Sequence, residues 1–262
     1  MSPNQCIALR LGKELHRICV LSGIPYYMLG GSMLGAIRHK GFIPWDDDMD
    51  FGIPRKYFSH FIQACREELP ANCKLIYHDN SDYAILGFAK ITDTSTIITE
   101  TFSPISKEKI GVNIDVFPLD EADKKKGILS FNRRVRTLFK FQKLLFFEAN
   151  NRSFLKKILA RCSQLFIRIH KKKLLLIMER MIENKSSCDD LEMYVNYFGA
   201  WGLKELISKE VFGNPILYKF EDTFFYGVSD FDEYLKSLYG DYMVIPDEGK
   251  QHNHIRDIQY LE

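Results

Sequence analysis

Four carboxylates crowd into five positions of this chain, Asp46-Asp47-Asp48-Met49-Asp50, with Gly30-Gly31-Ser32 a short helix and a loop ahead of them. Like charges this close repel, so a folded chain keeps them together only where something cationic sits among them. If Met49 and Phe51 are strand residues, alternation sends Asp46, Asp48 and Asp50 to one face and Asp47, Met49 and Phe51 to the other. One face then holds three oxygen ligands of the kind that Mg²⁺ or Mn²⁺ takes beside substrate phosphates. The pattern points to metal-assisted phosphoryl chemistry.

A calcium loop is excluded by its own spacing. With Asp46 as its first residue, the obligatory glycine falls on Phe51 and the closing glutamate on Tyr57. Gly30-Gly31-Ser32 opening a helix is a place where backbone N–H groups and the helix dipole hold phosphate. It is neither a P-loop nor a dinucleotide fingerprint, since G-x-x-x-x-G-K-[ST] and G-x-G-x-x-G are both missing. Followed by the acidic strand, however, the turn and the carboxylates can serve the phosphate and metal of one nucleotide. The alternative is a plain turn followed by a solvated acidic bend.

A later carboxylate fits the same site. Over Gly111 to Phe117, Val112, Ile114 and Val116 alternate with Asn113, Asp115 and Phe117, and Pro118 is expected to close the strand. Asp115 then faces away from the valines, as a metal ligand or as the base for an attacking hydroxyl. Among nearby cations Arg38 is the candidate to reach a substrate oxygen, with a solvated loop residue as the alternative. Lys90, after the apolar residues Ile85, Leu86 and Phe88, is a candidate to neutralise phosphate or else an exposed strand-end lysine. His252 and His254 sit in a polar C-terminal stretch and read as surface residues.

Around these motifs the chain reads as an α/β (α+β) protein. Ile7, Leu11, Leu15, Ile18 and Leu21 form one stripe of a helix over 4–22, stopped by Gly23 and Pro25. Strands are expected at 26–29, 48–53, 74–77, 83–91, 96–100 and 216–219. Further helices are expected at 32–37, 55–69, in pieces across 128–181, and at 230–238, the last with Ser229 as its cap. The 262 residues allow one large α/β domain or a domain with a helical appendage. The boundaries expected are 1–122 for a catalytic core, 123–198 for a basic helical subdomain, and 199–262 for a segment packing back on the core.

The net charge of +2 conceals an asymmetry. Lys124 to Lys173 holds 16 Lys and Arg against one acid, Glu148, leaving 20 of the 36 basic and 33 of the 34 acidic residues elsewhere. A basic third on an otherwise acidic chain is built to meet something anionic. An anionic membrane surface is the partner expected, with a solvated helical face as the alternative. Nucleic acid is not expected, because no DNA- or RNA-binding motif accompanies the patch. Six scattered cysteines, without C-x-x-C spacing, read as free thiols of a reducing cytosol. Arg10, Lys13, Glu14, His16 and Arg17 interrupt the first apolar stretch, so no signal peptide is expected. Nor does any apolar run approach the ~20 residues of a spanning helix. The expectation is therefore a cytoplasmic protein peripheral to the inner face of a membrane.

The block from Gly30 to Phe51, the run Asn113-Ile114-Asp115-Val116-Phe117-Pro118-Leu119-Asp120 and the late Tyr239-Gly240-Asp241-Tyr242-Met243 resemble the LicD family of phospho-alcohol transferases. The resemblance implies a nucleotidyltransferase-like mixed sheet flanked by helices, here with the basic helical segment inserted. It also implies transfer of a phospho-alcohol from CDP-choline, CDP-ribitol or CDP-glycerol to a sugar hydroxyl of a cell-surface glycan, in places lipid-linked. By position, Asp46, Asp48 and Asp50 are its Asp-x-Asp-x-Asp element, Asp115 the later carboxylate, and Gly31-Ser32 the phosphate turn, with Gly30 beside it as a further phosphate-binding candidate. Two further readings stay open at this level. One is a nucleotidyltransferase that releases pyrophosphate; the other is a non-catalytic, metal-binding adaptor at the membrane.

Overall fold

The computed structural model describes residues 1–81, 87–100, 108–124, 128, 129, 133, 137, 191–247, 249 and 255–261. The expected helices of 128–181, almost all of the basic segment, Ile85 and Leu86, and His252 and His254 lie outside these residues.

The first helix, α1 (Pro3–Leu21), begins where the sequence tells it to. Ser2 caps it by accepting from Gln5 N, Gln5 Oε1 takes the Ser2 N–H in return, and Pro3 occupies the first turn. Leu11, Leu15 and Ile18 are fully buried, whereas Leu21 at the C-terminal end is 69% exposed. Gly23, with φ of 63°, then turns the chain out of the helix.

The chain continues through β1 (Tyr27–Met28), α2 (Gly30–Arg38), β2 (Asp50–Pro54), α3 (Arg55–Glu68), β3 (Cys73–Ile76), β4 (Ala89–Asp93), β5 (Thr96–Glu100) and β6 (Asn113–Ala122). After the basic segment come β7 (Met193–Val195), β8 (Leu206–Ser208), α4 (Lys209–Phe212), β9 (Ile216–Phe220), β10 (Thr223–Gly227), α5 (Phe231–Tyr239) and β11 (Ile255–Tyr260). Seven strands lie in the order β3-β4-β6-β2-β1-β10-β9, and β7 extends β6 and carries β8. β2 and β6 pair parallel, as do β1 and β10, while the other pairs are antiparallel. The protein is thus a mixed sheet flanked by helices, consistent with a nucleotidyltransferase-like fold. β5 and β11 form a separate two-stranded sheet.

α1 and α3 pack on the central strands β2, β4 and β6. Between the layers Tyr26, Phe51, Phe225 and Phe220 meet edge to face at centroid distances of 5.7 Å, a geometry in which ring edges meet ring faces. On the α1 side, Met49 approaches so closely that a Cβ at Gly12 would sit 3.2 Å from its sulfur. The opposite face of the same strands is therefore left to α2 and to the polar residues of the site.

Five local expectations shift. The strand expected over 83–91 is β4, Ala89–Asp93, with Gly87 and Phe88 in a bend before it. Gly30 and Gly31 are the first helical residues of α2 and not a turn before it, with Leu29 as the N-cap. The acidic strand starts at Asp50 and not at Asp48, because its neighbour β1 is two residues long and pairs only with Phe51 and Gly52. Pro118 does not end its strand, which runs to Ala122. Asp115 donates its N–H to Met49 O, so alternation turns the amide side of residue 118 away from β2. On that other side the β4 ladder has already stopped at Val116, and a missing donor costs nothing. Finally, Asp230 and not Ser229 caps α5, accepting from Glu233 N at 3.1 Å. Cys6, Cys19, Cys65 and Cys73 are free thiols, three of them buried. Among the described residues no helix is long and apolar enough to cross a membrane.

Candidate active site

Sheet register brings the charged residues together. Asp50 of β2 stands opposite Asp115 of β6, and Asp115 stands opposite Lys90 of β4. A row of Lys90, Asp115 and Asp50 therefore crosses three neighbouring strands on one face. Their flanking residues Ala89, Ile91, Ile114, Val116, Met49 and Phe51 are fully buried on the other face. The alternation continues upstream: Asp46 and Asp48 are half-buried, while Asp47 is buried.

Lys90 is the second residue of β4, not an exposed strand end. Its Nζ donates to Asp115 Oδ1 at 2.6 Å and to Asn113 Oδ1 at 2.9 Å, with both charged side chains mostly covered. An ammonium held here is one answer to the repulsion among the acids. The other is the N-terminus of α2, whose dipole favours negative charge. Asp50 O accepts from Leu29 N at 2.9 Å, and Asp50 N donates to Ser32 Oγ at 2.8 Å. These two bonds fasten β2 to the start of α2.

The two glycines there serve different needs: Gly31 leaves room for a carboxylate, and Gly30 takes a left-handed backbone conformation. A Cβ on Gly31 would lie 2.5 Å from Asp46 Oδ2, inside any allowed contact. One on Gly30, whose φ is 47°, would lie 3.5 Å from Asp50 Oδ2 and 3.6 Å from the Tyr239 hydroxyl. Two carboxylates thus face the opening turn of one helix. Gly30 N donates to the Tyr234 hydroxyl at 3.1 Å. Burial first, then the charges of Asp50 and Asp46, hold the Tyr239 phenol far above its ordinary range, so it remains a proton donor beside them.

Arg38 is placed elsewhere, in the last turn of α2. Its guanidinium donates to Tyr242 O at 2.7 Å and to Val244 O at 3.4 Å, tying α2 to the loop after α5. Lower on β6, Asp120 takes a two-pronged bond from Arg55, at 2.8 and 2.9 Å, which locks the start of α3 to the strand bearing Asp115. Sequence reasoning missed Tyr234 and Tyr239 as parts of the site. Tyr239 did stand in one of the recognisable blocks, but Tyr234 had no signal beyond its place in an amphipathic helix.

The donor set of Asp46, Asp50 and Asp115 is all oxygen, which suits Mg²⁺ or Mn²⁺. Among the described residues no three His, Cys, Asp or Glu side chains converge to hold an ion by themselves. Mg²⁺ does not ask for that: it is commonly held by one or two carboxylates with substrate phosphates completing the shell. Asp46 and Asp50 beside the α2 N-terminus fit this kind of shared site.

Residues 23–160 match the family described as "LicD/FKTN/FKRP, nucleotidyltransferase domain". The chain is 29% identical over 265 residues to the lipopolysaccharide cholinephosphotransferase LicD of Haemophilus influenzae, covering 98% of this chain and 97% of that protein. An uncharacterised protein of Rickettsia typhi is 39% identical over 90 residues, 33% of this chain and 28% of that protein. The human ribitol 5-phosphate transferase FKRP is 56% identical over 32 residues, 12% of this chain and 6% of that protein.

Proposed function

The chain belongs to the LicD family and is a phosphotransferase, and from that premise we propose that it moves a phospho-alcohol from a CDP-activated donor to a sugar hydroxyl. The acceptor class is a cell-surface glycan, with lipopolysaccharide the first candidate because the relative matched across nearly the whole chain is named for it. The donor class spans CDP-choline, CDP-ribitol and CDP-glycerol, since relatives named for choline phosphate and ribitol phosphate both match. The single observation that supports the chemistry is the row Lys90–Asp115–Asp50 laid beside the N-terminus of α2.

In this reading the donor diphosphate lies against Gly30, Gly31 and Ser32, where the helix dipole favours its charge. Asp46 and Asp50, with Asp48 drawn in as substrate phosphates complete the shell, would hold Mg²⁺ or Mn²⁺, which would neutralise the diphosphate. Lys90 places a positive charge beside the phosphorus to be transferred. The acceptor hydroxyl oxygen forms its bond to the phosphorus bearing the alcohol, and the bond to the CMP phosphate oxygen breaks. The hydroxyl proton passes to Asp115, which stands a strand away from the carboxylates facing the phosphate turn. Catalysis is then mostly positioning and charge neutralisation. The basic stretch Lys124 to Lys173 is assigned to an anionic membrane surface where a lipid-linked acceptor is carried, at the cytoplasmic face.

The test is nucleotide release by the purified protein with Mg²⁺ and CDP-choline, CDP-ribitol, CDP-glycerol, CTP or ATP, beside an Asp50→Asn control. CMP from a CDP-alcohol, absent in the control, supports the reading and identifies the donor. Pyrophosphate from CTP or ATP overturns it in favour of nucleotidyl transfer. For the membrane assignment, sedimentation with vesicles should rise with anionic lipid and fall with salt. Insensitivity to both refutes it.

A further inference from the structure

We propose that Asp47 and Gln5 are positioning residues that clamp the acidic loop between α1 and the C-terminal strand, making β11 a working part of the site. Residues 46–49 belong to no helix or strand; the Asp46 N–H to Ile43 O bond, 2.9 Å, closes the turn before them, and Met49 O accepts the Asp115 N–H at their far end. Yet the carboxylates they carry must keep a fixed path if they are to meet a diphosphate.

Two distant segments supply the constraint. Gln5 Nε2 donates to Asp46 O at 2.8 Å and to Ile43 O at 3.3 Å, while its Oε1 is engaged at the helix cap. On the other side Asp47 Oδ2 accepts the Ile255 N–H at 3.1 Å, across 208 residues of chain. β11, which begins at Ile255, is itself firmly anchored. It pairs with Thr96 to Glu100 of β5, and Leu261 N donates to Ser95 O at 2.8 Å. The start of β5 is fixed in turn, because Asp93 accepts from the hydroxyls of Ser95 and Thr96, both at 2.8 Å, and pairs with Arg10 of α1. Both anchors of the loop therefore trace back to α1, through Gln5 and through Arg10.

The consequence is a division of labour among four adjacent acids. Asp46 and Asp50 face the opening turn of α2, and Asp47 is turned inward to take a backbone N–H. What the Ile255 N–H asks of Asp47 is an oxygen acceptor. The inference rests on the proposed site only for its catalytic effect; the clamp stands on these bonds.

The experiment compares Asp47→Asn, Asp47→Ala, Ile255→Pro and the double variant Asp47→Ala/Ile255→Pro with wild type, by CDP-alcohol turnover and by hydrogen exchange. Asparagine keeps an acceptor oxygen, so Asp47→Asn should retain activity within about threefold, the size of a modest change in one hydrogen bond. Asp47→Ala should lose on the order of 10²-fold in kcat, as misplaced catalytic groups do. Ile255→Pro removes the donor and should reproduce most of that loss. The double variant should be no worse than Asp47→Ala, since the two act through one bond. Amides of 45–49 should exchange faster in Asp47→Ala and Ile255→Pro, with those of α3 unchanged. Asp47→Asn as inactive as Asp50→Asn, or Asp47→Ala with wild-type exchange over 45–49, overturns the proposal. If the wild-type protein turns over no donor, the functional reading fails and the exchange result alone decides the clamp.

Discussion

Replacing Glu205 by Gln should stabilise this protein, and should do so only above mildly acidic pH. Glu205 is 7% exposed, and its Oε1 accepts the Trp201 N–H at 3.2 Å. Burial pushes its carboxyl from the ordinary 4.5 up to about 7, with the Trp201 N–H opposing the rise. Below pH 4.5 both folded and unfolded chains carry the proton, and nothing is lost. Between 4.5 and about 7 the unfolded chain sheds its proton while the folded one keeps it, so stability falls as pH rises. The full interval corresponds to about 3 kcal/mol. Gln keeps an acceptor oxygen for Trp201 and never has to ionise. The variant should therefore match wild type near pH 4.5 and exceed it by up to ~3 kcal/mol at pH 8, or roughly 6–12 °C in Tm for a chain of this size. Thermal melts of both proteins at intervals from pH 4.5 to 8 measure the difference curve. A difference that stays constant over that range refutes the reasoning, because it would leave burial of the carboxyl without a titrating consequence.

Four other outcomes follow from the site. Asp48→Asn and Asp50→Asn should each lower turnover on the order of 10³-fold while melting like wild type; near-normal activity in either would remove the assigned metal role. Gly31→Ala should cost activity without costing stability, since alanine favours the helix by up to ~1 kcal/mol while its Cβ displaces Asp46; a fully active Gly31→Ala would mean that Asp46 is not needed where it stands. Lys90→Met should cut kcat and also destabilise the fold by about 1–3 kcal/mol, the cost of leaving a mostly covered Asp115 without its ammonium; activity assays paired with urea unfolding separate the two effects. Arg55→Lys gives up the fork on Asp120 and should cost about 1 kcal/mol in urea unfolding, an outcome that an unchanged midpoint contradicts.

What the sequence by itself determined is whatever depends on near neighbours. The buried stripe of α1, the alternation through Asp46 to Phe51 and the valine face opposite Asp115 are all written at spacings of two to four residues, which is the reach of helical and strand periodicity. The family blocks likewise could be read directly, because the acids and glycines of one site fall within a single short stretch.

Only the tertiary structure decided which of these residues meet. Asp50 opposite Asp115 and Asp115 opposite Lys90 are facts of strand register, and register is set by how whole faces bury against α1 and α3. The insertion of β10 between β1 and β9, and the docking of Tyr234 on Gly30, join positions some 200 residues apart. No local pattern marks Gln5 as the residue that holds the acidic loop, because its sequence signature is fully explained by capping α1. Asp47 shows the limit most plainly: alternation turned it inward, but its bond to the Ile255 N–H reaches across 208 residues, beyond any local pattern.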